Sequence, residues 1–121
     1  VVLSMWTFNG ATTGDNLDIG IYSADGTRLV SMGSTAQDGT TAIQTLNITD
    51  TPIGAGLFYI ALVFNGTTST MFRTASVTVS IGRAIGMAQM ATAFPLPATV
   101  VFATVASAYT PLFGLTARSI V

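Results

Sequence analysis

Turn dipeptides cut this chain into short apolar segments with alternating side chains, and that punctuation constrains the fold more than any other feature. Val1 to Phe8 (VVLSMWTF) precedes the polar loop NGATTGDN. Leu17 to Ala24 then places Leu17, Ile19 and Ile21 on one face and Asp18, Gly20 and Tyr22 on the other. Asp25-Gly26 supplies the positive φ of a tight hairpin, with Arg28 to Met32 as the returning strand. After the loop GSTAQDGTT, Ala42 to Ile48 sets Gln44, Leu46 and Ile48 against Ile43, Thr45 and Asn47. GLFYIALVF, Gly56 to Phe64, is a continuous apolar run that predicts a strand at the centre of a sheet with both faces covered. Asn65-Gly66 marks the next turn, and Ser69 to Arg73 reads as a further hairpin arm.

Strands this short and this closely spaced predict an all-β chain, a sandwich or a barrel, spanning residues 1–121 as one domain. The second half is less regular. Val77, Val79 and Ile81 alternate with Thr78 and Ser80 as in a strand. Arg83 to Thr92 has the spacing of a short helix, with Ile85, Ala88 and Ala91 or Thr92 turned inward and Gly86 weakening it. From Phe94 to Leu115 the expectation is extended Pro-containing chain, a strand over Thr99 to Thr104 and an irregular tail. Pro95, Pro97 and Pro111 favour edges, turns and arms over central strands.

No charged residue occurs from Ala84 to Ala117, a span long enough to raise the question of a membrane. The prolines and the β-branched run ATVVFATVA leave no clean apolar helix of about 20 residues, so strands buried in an assembly are the preferred reading and no membrane partner is expected. The chain opens without an initiator Met and inside a strand, so an N-terminal part is expected to be missing; no signal peptide is visible.

The chain contains no His, Cys, Lys or Glu, which removes the commonest general base, the thiolate nucleophile, the Schiff-base amine and most transition-metal sites. An enzyme is not expected. Four Arg residues oppose five Asp residues for a net charge of -1, so no basic stripe follows a phosphate backbone and nucleic acid is not an expected partner. Charged residues make up 7% of the chain, against roughly 25% in an ordinary soluble domain. A surface so sparsely charged is expected to be covered by neighbouring subunits.

The nearest approach to a metal motif is Asp15-Asn16-Leu17-Asp18, with Asp25 further along the hairpin. Without a bidentate Glu the turn roles of these residues are preferred to Ca²⁺ ligation, and no cofactor or metal is expected. Asp18 and Asp50 would be a glycosidase pair only if the fold brought them together, and nothing in the sequence does so. Trp6 and Phe8 share a strand face and are expected in the core, which leaves Tyr22, with Asp18 beside it, as the ring and hydrogen-bonding group that would face a glycan. Phe94, Leu96, Phe102, Leu112 and Phe113 would form an apolar surface larger than monomers usually tolerate, so they are the candidates for a subunit interface.

The segments DNLDIGIYSADGTRLVSMGSTAQDGT (Asp15 to Thr40), ITDTPIGAGLFYIAL (Ile48 to Leu62) and PLPATVVFATVASAYTPLFGLTARSIV (Pro95 to Val121) together resemble a β-sandwich domain of small virion proteins from tailed bacteriophages. The resemblance implies an antiparallel β-sandwich of jelly-roll type and a non-enzymatic structural role, as a capsid decoration or head-associated protein assembled in the bacterial cytoplasm. Its partners would be further copies of itself and the major capsid protein. The Asp18-x-Gly20-x-Tyr22 hairpin and the Gly56-Leu-Phe-Tyr59 strand are also similar to jelly-roll modules that bind carbohydrate, which implies the alternative of a receptor-binding module on a tail fibre or a secreted protein.

Overall fold

The computed structural model describes residues 1–74, 78–90, 94–106 and 109–118. Among these residues nine strands and one short helix follow in the order β1 (Val2–Phe8), β2 (Asn16–Ser23), β3 (Arg28–Ser31), β4 (Thr35–Ala36), β5 (Ile43–Thr51), β6 (Phe58–Phe64), α1 (Val79–Ala84), β7 (Ala88–Gln89), β8 (Ala103–Thr104) and β9 (Phe113–Ala117). The chain is all-β in character, and every strand pairing is antiparallel.

The expected hairpin forms where the turn chemistry places it. Gly26 has φ +87°, a value that L side chains rarely adopt, and the β2–β3 pairing runs from Gly20↔Ser31 to Tyr22↔Arg28. Asp25 reinforces the turn by accepting hydrogen bonds from the Ser23 hydroxyl and the Thr27 N–H. A Cβ at Gly26 would also meet the Val100 carbonyl oxygen at 2.1 Å, so the turn lies directly under a segment remote in sequence.

One sheet has the order β5-β1-β9; in a second, β2 pairs with β6 along one edge, while β3 and β4 divide its opposite edge; β7 and β8 form a small two-stranded sheet of their own. Val2, Met5, Leu46 and Ile48 from the first sheet meet Leu17, Ile19 and Ile21 from the second in one apolar core, with Phe58, Ile60, Leu62, Phe64, Phe113 and Leu115 packed around it. The alternation in β2 and β5 thus turns Leu17, Ile19 and Ile21, and Leu46 and Ile48, to the core.

In β1 the expected face is reversed. The register shifts between Val2 and Ser4, so Val2, Met5 and Thr7 point inward, and Trp6 and Phe8 are carried to the other face, half-buried. The Phe8 ring packs on Phe72 with centroids 4.3 Å apart.

Several other expectations are corrected. β6 is an edge strand, bonded to β2 and to no other strand among the described residues, and all seven of its residues are half-buried. Ser69 to Arg73 does not return along it. Met71 bridges Asn9 and Arg73 bridges Pro111, because the main-chain bonds from Gly10 to Thr70 and from Phe72 to Phe8 draw this segment to the end of β1. Val79 and Ile81 lie in α1 rather than in a strand, and Val77 is outside the described residues. The Thr78 hydroxyl accepts from the Ile81 N–H and caps the helix, which spans Val79–Ala84 and not 83–92; Ala91 and Thr92 are outside the described residues. The expected strand over Thr99 to Thr104 is reduced to a bridge at Thr99 and the short β8. The expected irregular tail contains β9, which pairs with β1 from Val2↔Ala117 to Thr7↔Phe113.

Candidate functional site

The outer face of β2 carries Asp18, Gly20 and Tyr22, and the chain from Phe94 to Phe102 folds back over it. Asp18 is fully buried. Its carboxylate accepts from the Ser31 hydroxyl at 2.8 and 2.9 Å, from the Gly33 N–H at 2.9 Å and from the Leu96 N–H at 2.9 Å. A single side chain thus ties β2 to the end of β3 and to the returning segment. Gly20 gives the segment room to approach, since a Cβ there would lie 3.0 Å from Leu96 Cδ1 and 2.5 Å from the Val30 carbonyl oxygen.

Tyr22 is also fully buried and donates its hydroxyl to the Pro97 carbonyl at 2.6 Å. Burial of the phenol raises its pKa above the ordinary tyrosine value, the charge of Asp18 adds to the rise and Arg28 opposes it. The Phe102 ring stands edge-on to Tyr22, with centroids 6.3 Å apart, and tilts against Tyr59 at 4.2 Å. Arg28 donates its guanidinium to the Leu96 carbonyl and its main-chain N–H to the Ala98 carbonyl at 2.8 Å. A main-chain bond from Val100 to Gly26 and the Thr27↔Thr99 bridge complete the attachment.

This arrangement corrects the expected glycan face. Tyr22 and Asp18 are brought together, but their polar atoms are taken up in holding the segment, so neither is available to a sugar. Some of the candidate interface residues are likewise covered by the chain itself. The segment from Phe94 to Phe102 forms a latch across β2 in which Leu96 is 2% exposed, and Phe113 packs against the core, while Phe94, Phe102 and Leu112 are half-buried. The prolines produce an arm as expected, but between Phe94 and Phe102 it lies on its own sheet.

At the start of the loop after β1 lies a second polar cluster, which the sequence did not single out. Asn9 is fully buried; its amide nitrogen donates to the Asp38 carbonyl at 2.6 Å and to Gln44 Oε1 at 3.1 Å, and its Oδ1 accepts from Thr7 and from Gln37 Nε2. Gln37 Nε2 also reaches the Thr70 carbonyl, and Gln37 Oε1 is buried with no partner among the described residues. Asn-Gly is an ordinary turn signal, and no local pattern marks this asparagine as interior. Nearby, Asp15 accepts from the N–H groups of Thr68 and Ser69, so it organises two loops in the way preferred above.

No three acidic or other metal-ligating side chains gather among the described residues, and no described helix is long and apolar enough to cross a membrane. Between β3 and β5 an open cleft of about 640 Å³ is lined by Arg28, Ser31, Thr49, Thr51 and Pro95 among others, with no carboxylate among its described lining residues. Hydroxyls and a guanidinium can hold a polar group there, but they supply no acid–base pair. Compared with protein-family models, curated proteins and solved structures, the chain finds no match in any of the three.

Proposed function

We propose that this chain is a non-enzymatic structural protein of a virion, a capsid decoration or head-associated protein, and that its fold is an antiparallel β-sandwich of jelly-roll type. The fold reading is supported by the path of the chain. Among the strands of the two larger sheets, every connection except β2–β3 and β3–β4 passes from one sheet to the other, and the last strand lies beside the first.

The observation that carries the functional reading is the character of the surface. Ile43, Leu57, Ile85 and Val101 are 62%, 63%, 64% and 88% exposed in a chain with only four basic and five acidic residues. Side chains of this kind are suited to being covered by neighbours in a shell, and buried polar groups here are used to fasten the chain rather than to meet a substrate. The partners under this reading are further copies and the major capsid protein, and the location is the virion. A density map of the intact particle tests it. β-rich density fitting this chain on the head shell is expected, and purified particles that lack the chain would overturn the reading.

A further inference from the structure

The outer edge of β6, to which no described strand is paired, has a main-chain pattern that is symmetric about Ala61. Antiparallel partners alternate between residues that exchange hydrogen bonds and residues that do not. The Asn65 N–H bonds the Asn16 carbonyl, and the register continues from Leu17↔Phe64 to Ser23↔Phe58 without a shift. Val63, Ala61 and Tyr59 therefore direct their main-chain groups toward β2, and Phe64, Leu62, Ile60 and Phe58 direct theirs away from it. Consistently, the Ile19 carbonyl, opposite Leu62, accepts from Met32 on the β3 side. Among the described residues no strand or bridge pairs with this outer edge.

Edge strands are ordinarily protected by charge, proline or a bulge. β6, with the sequence FYIALVF and an unbroken register, has none of these. We propose that a second copy of this chain occupies the edge, β6 running antiparallel to β6 about a two-fold axis at Ala61.

That axis sets Phe58 opposite Phe64 and Ile60 opposite Leu62, so the residues with outward-directed N–H and C=O groups meet one another and can exchange hydrogen bonds. An axis displaced by half a residue would oppose free groups to groups already engaged with β2. On the outer face Tyr59 meets Val63 of the second copy, an aromatic and β-branched pair that favours such a sheet, and the small side chain of Ala61 stands on the axis where a larger one would meet its own image. The absence of charge along β6 removes the repulsion that an isologous contact creates between like residues. The proposal deepens the assembly reading by naming the surface and its occupant.

Because the chain has no Cys, a single introduced thiol reports the contact directly. Ala61→Cys places two thiols in a non-hydrogen-bonded pair across the axis, so mild oxidation of the full chain at micromolar concentration should give a linked dimer at least ten times faster than Ile43→Cys, whose site on β5 is more exposed. In sedimentation the unmodified chain should run as a dimer and Ala61→Lys as a monomer with an unchanged far-ultraviolet circular dichroism spectrum. Equal cross-linking rates for the two cysteine variants, or a folded Ala61→Lys that still dimerises, would overturn the β6 contact while leaving assembly through other surfaces standing. An unmodified chain that is monomeric in solution would overturn the β6 contact as well; its absence from the particle, measured separately, would overturn the assembly reading.

Discussion

β2 and β6 lie side by side over seven paired positions, yet they occupy opposite situations in the fold. β2, with polar Asp18 and Tyr22 alternating among its apolar residues, is buried without interruption from Leu17 to Tyr22 and has strands on both edges. β6, apolar but for the Tyr59 hydroxyl, is half-buried at every position and, among the described residues, is paired with β2 alone. The difference separates two properties that a hydrophobic run is usually taken to report together. Side-chain character describes what covers the faces of a strand; whether its edges are paired depends on main-chain groups that every residue carries.

The polar outer face of β2 has a cause of the same kind. A segment of main chain lies on it, and main chain brings N–H and C=O groups that need partners once water is excluded. Asp18 meets the N–H of Leu96, and Tyr22 meets the C=O of Pro97. An apolar face would have left both unsatisfied.

The sharpest way to break this comparison is a matched pair of truncations. Ile19→Ala in β2 removes a fully buried side chain and should cost about 4 kcal/mol, whereas Ile60→Ala, directed at the same core from the half-buried edge strand, should cost about half as much. Denaturant midpoints of the two variants measure the difference. Equal losses would mean that β6 is as enclosed as β2.

Next in size is the latch. Asp18→Ala leaves the buried Leu96 N–H without its acceptor and the Gly33 N–H with the Ser31 hydroxyl alone, at a cost of about 3 kcal/mol, while Asp50→Ala, at an exposed position of β5, should change stability by less than about 0.5 kcal/mol. Limited proteolysis adds a spatial readout, since cleavage between Phe94 and Phe102 should become faster in Asp18→Ala. Cleavage unchanged from the parent chain would show that the segment is held by other contacts.

The parts of this fold legible in the sequence are those determined locally. Asp25-Gly26 specified its turn, and the alternation through Leu17, Ile19 and Ile21, like that through Leu46 and Ile48, specified which face is interior. What was not legible depends on partners far along the chain. The bulge that turns Trp6 and Phe8 outward is a matter of register with β5 and β9, and β9 itself reads as a tail until β1 is beside it. The candidate site shows the same limit. Its residues were all singled out, Asp18 and Tyr22 as glycan-facing groups and Leu96 as part of a subunit interface, because the spacing of 78 residues between Asp18 and Leu96 carries no local signal of their hydrogen bond.

The smallest effect probes the far end of the latch. Tyr22→Phe keeps the ring against Phe102 but removes the donor to the Pro97 carbonyl, so it should cost about 1 kcal/mol near neutral pH. Its dependence on pH is more informative than its size. In the folded chain the Tyr22 phenol holds its proton above the ordinary tyrosine pKa, because burial disfavours the phenolate. Between the ordinary value and the raised one, the unfolded chain releases this proton and the folded chain retains it. The folded state then binds more protons, so stability must fall as pH rises, with a slope of up to about 1.4 kcal/mol per pH unit from this group. Below the ordinary value the contribution is fully present. Thermal unfolding at about pH 8 and about pH 11 should therefore show a larger loss for the parent chain than for Tyr22→Phe, and the gap between the two should narrow at the higher pH. Parallel losses in both would mean that the phenol titrates as freely in the folded chain as in the unfolded one, and that the segment from Phe94 to Phe102 does not close over β2.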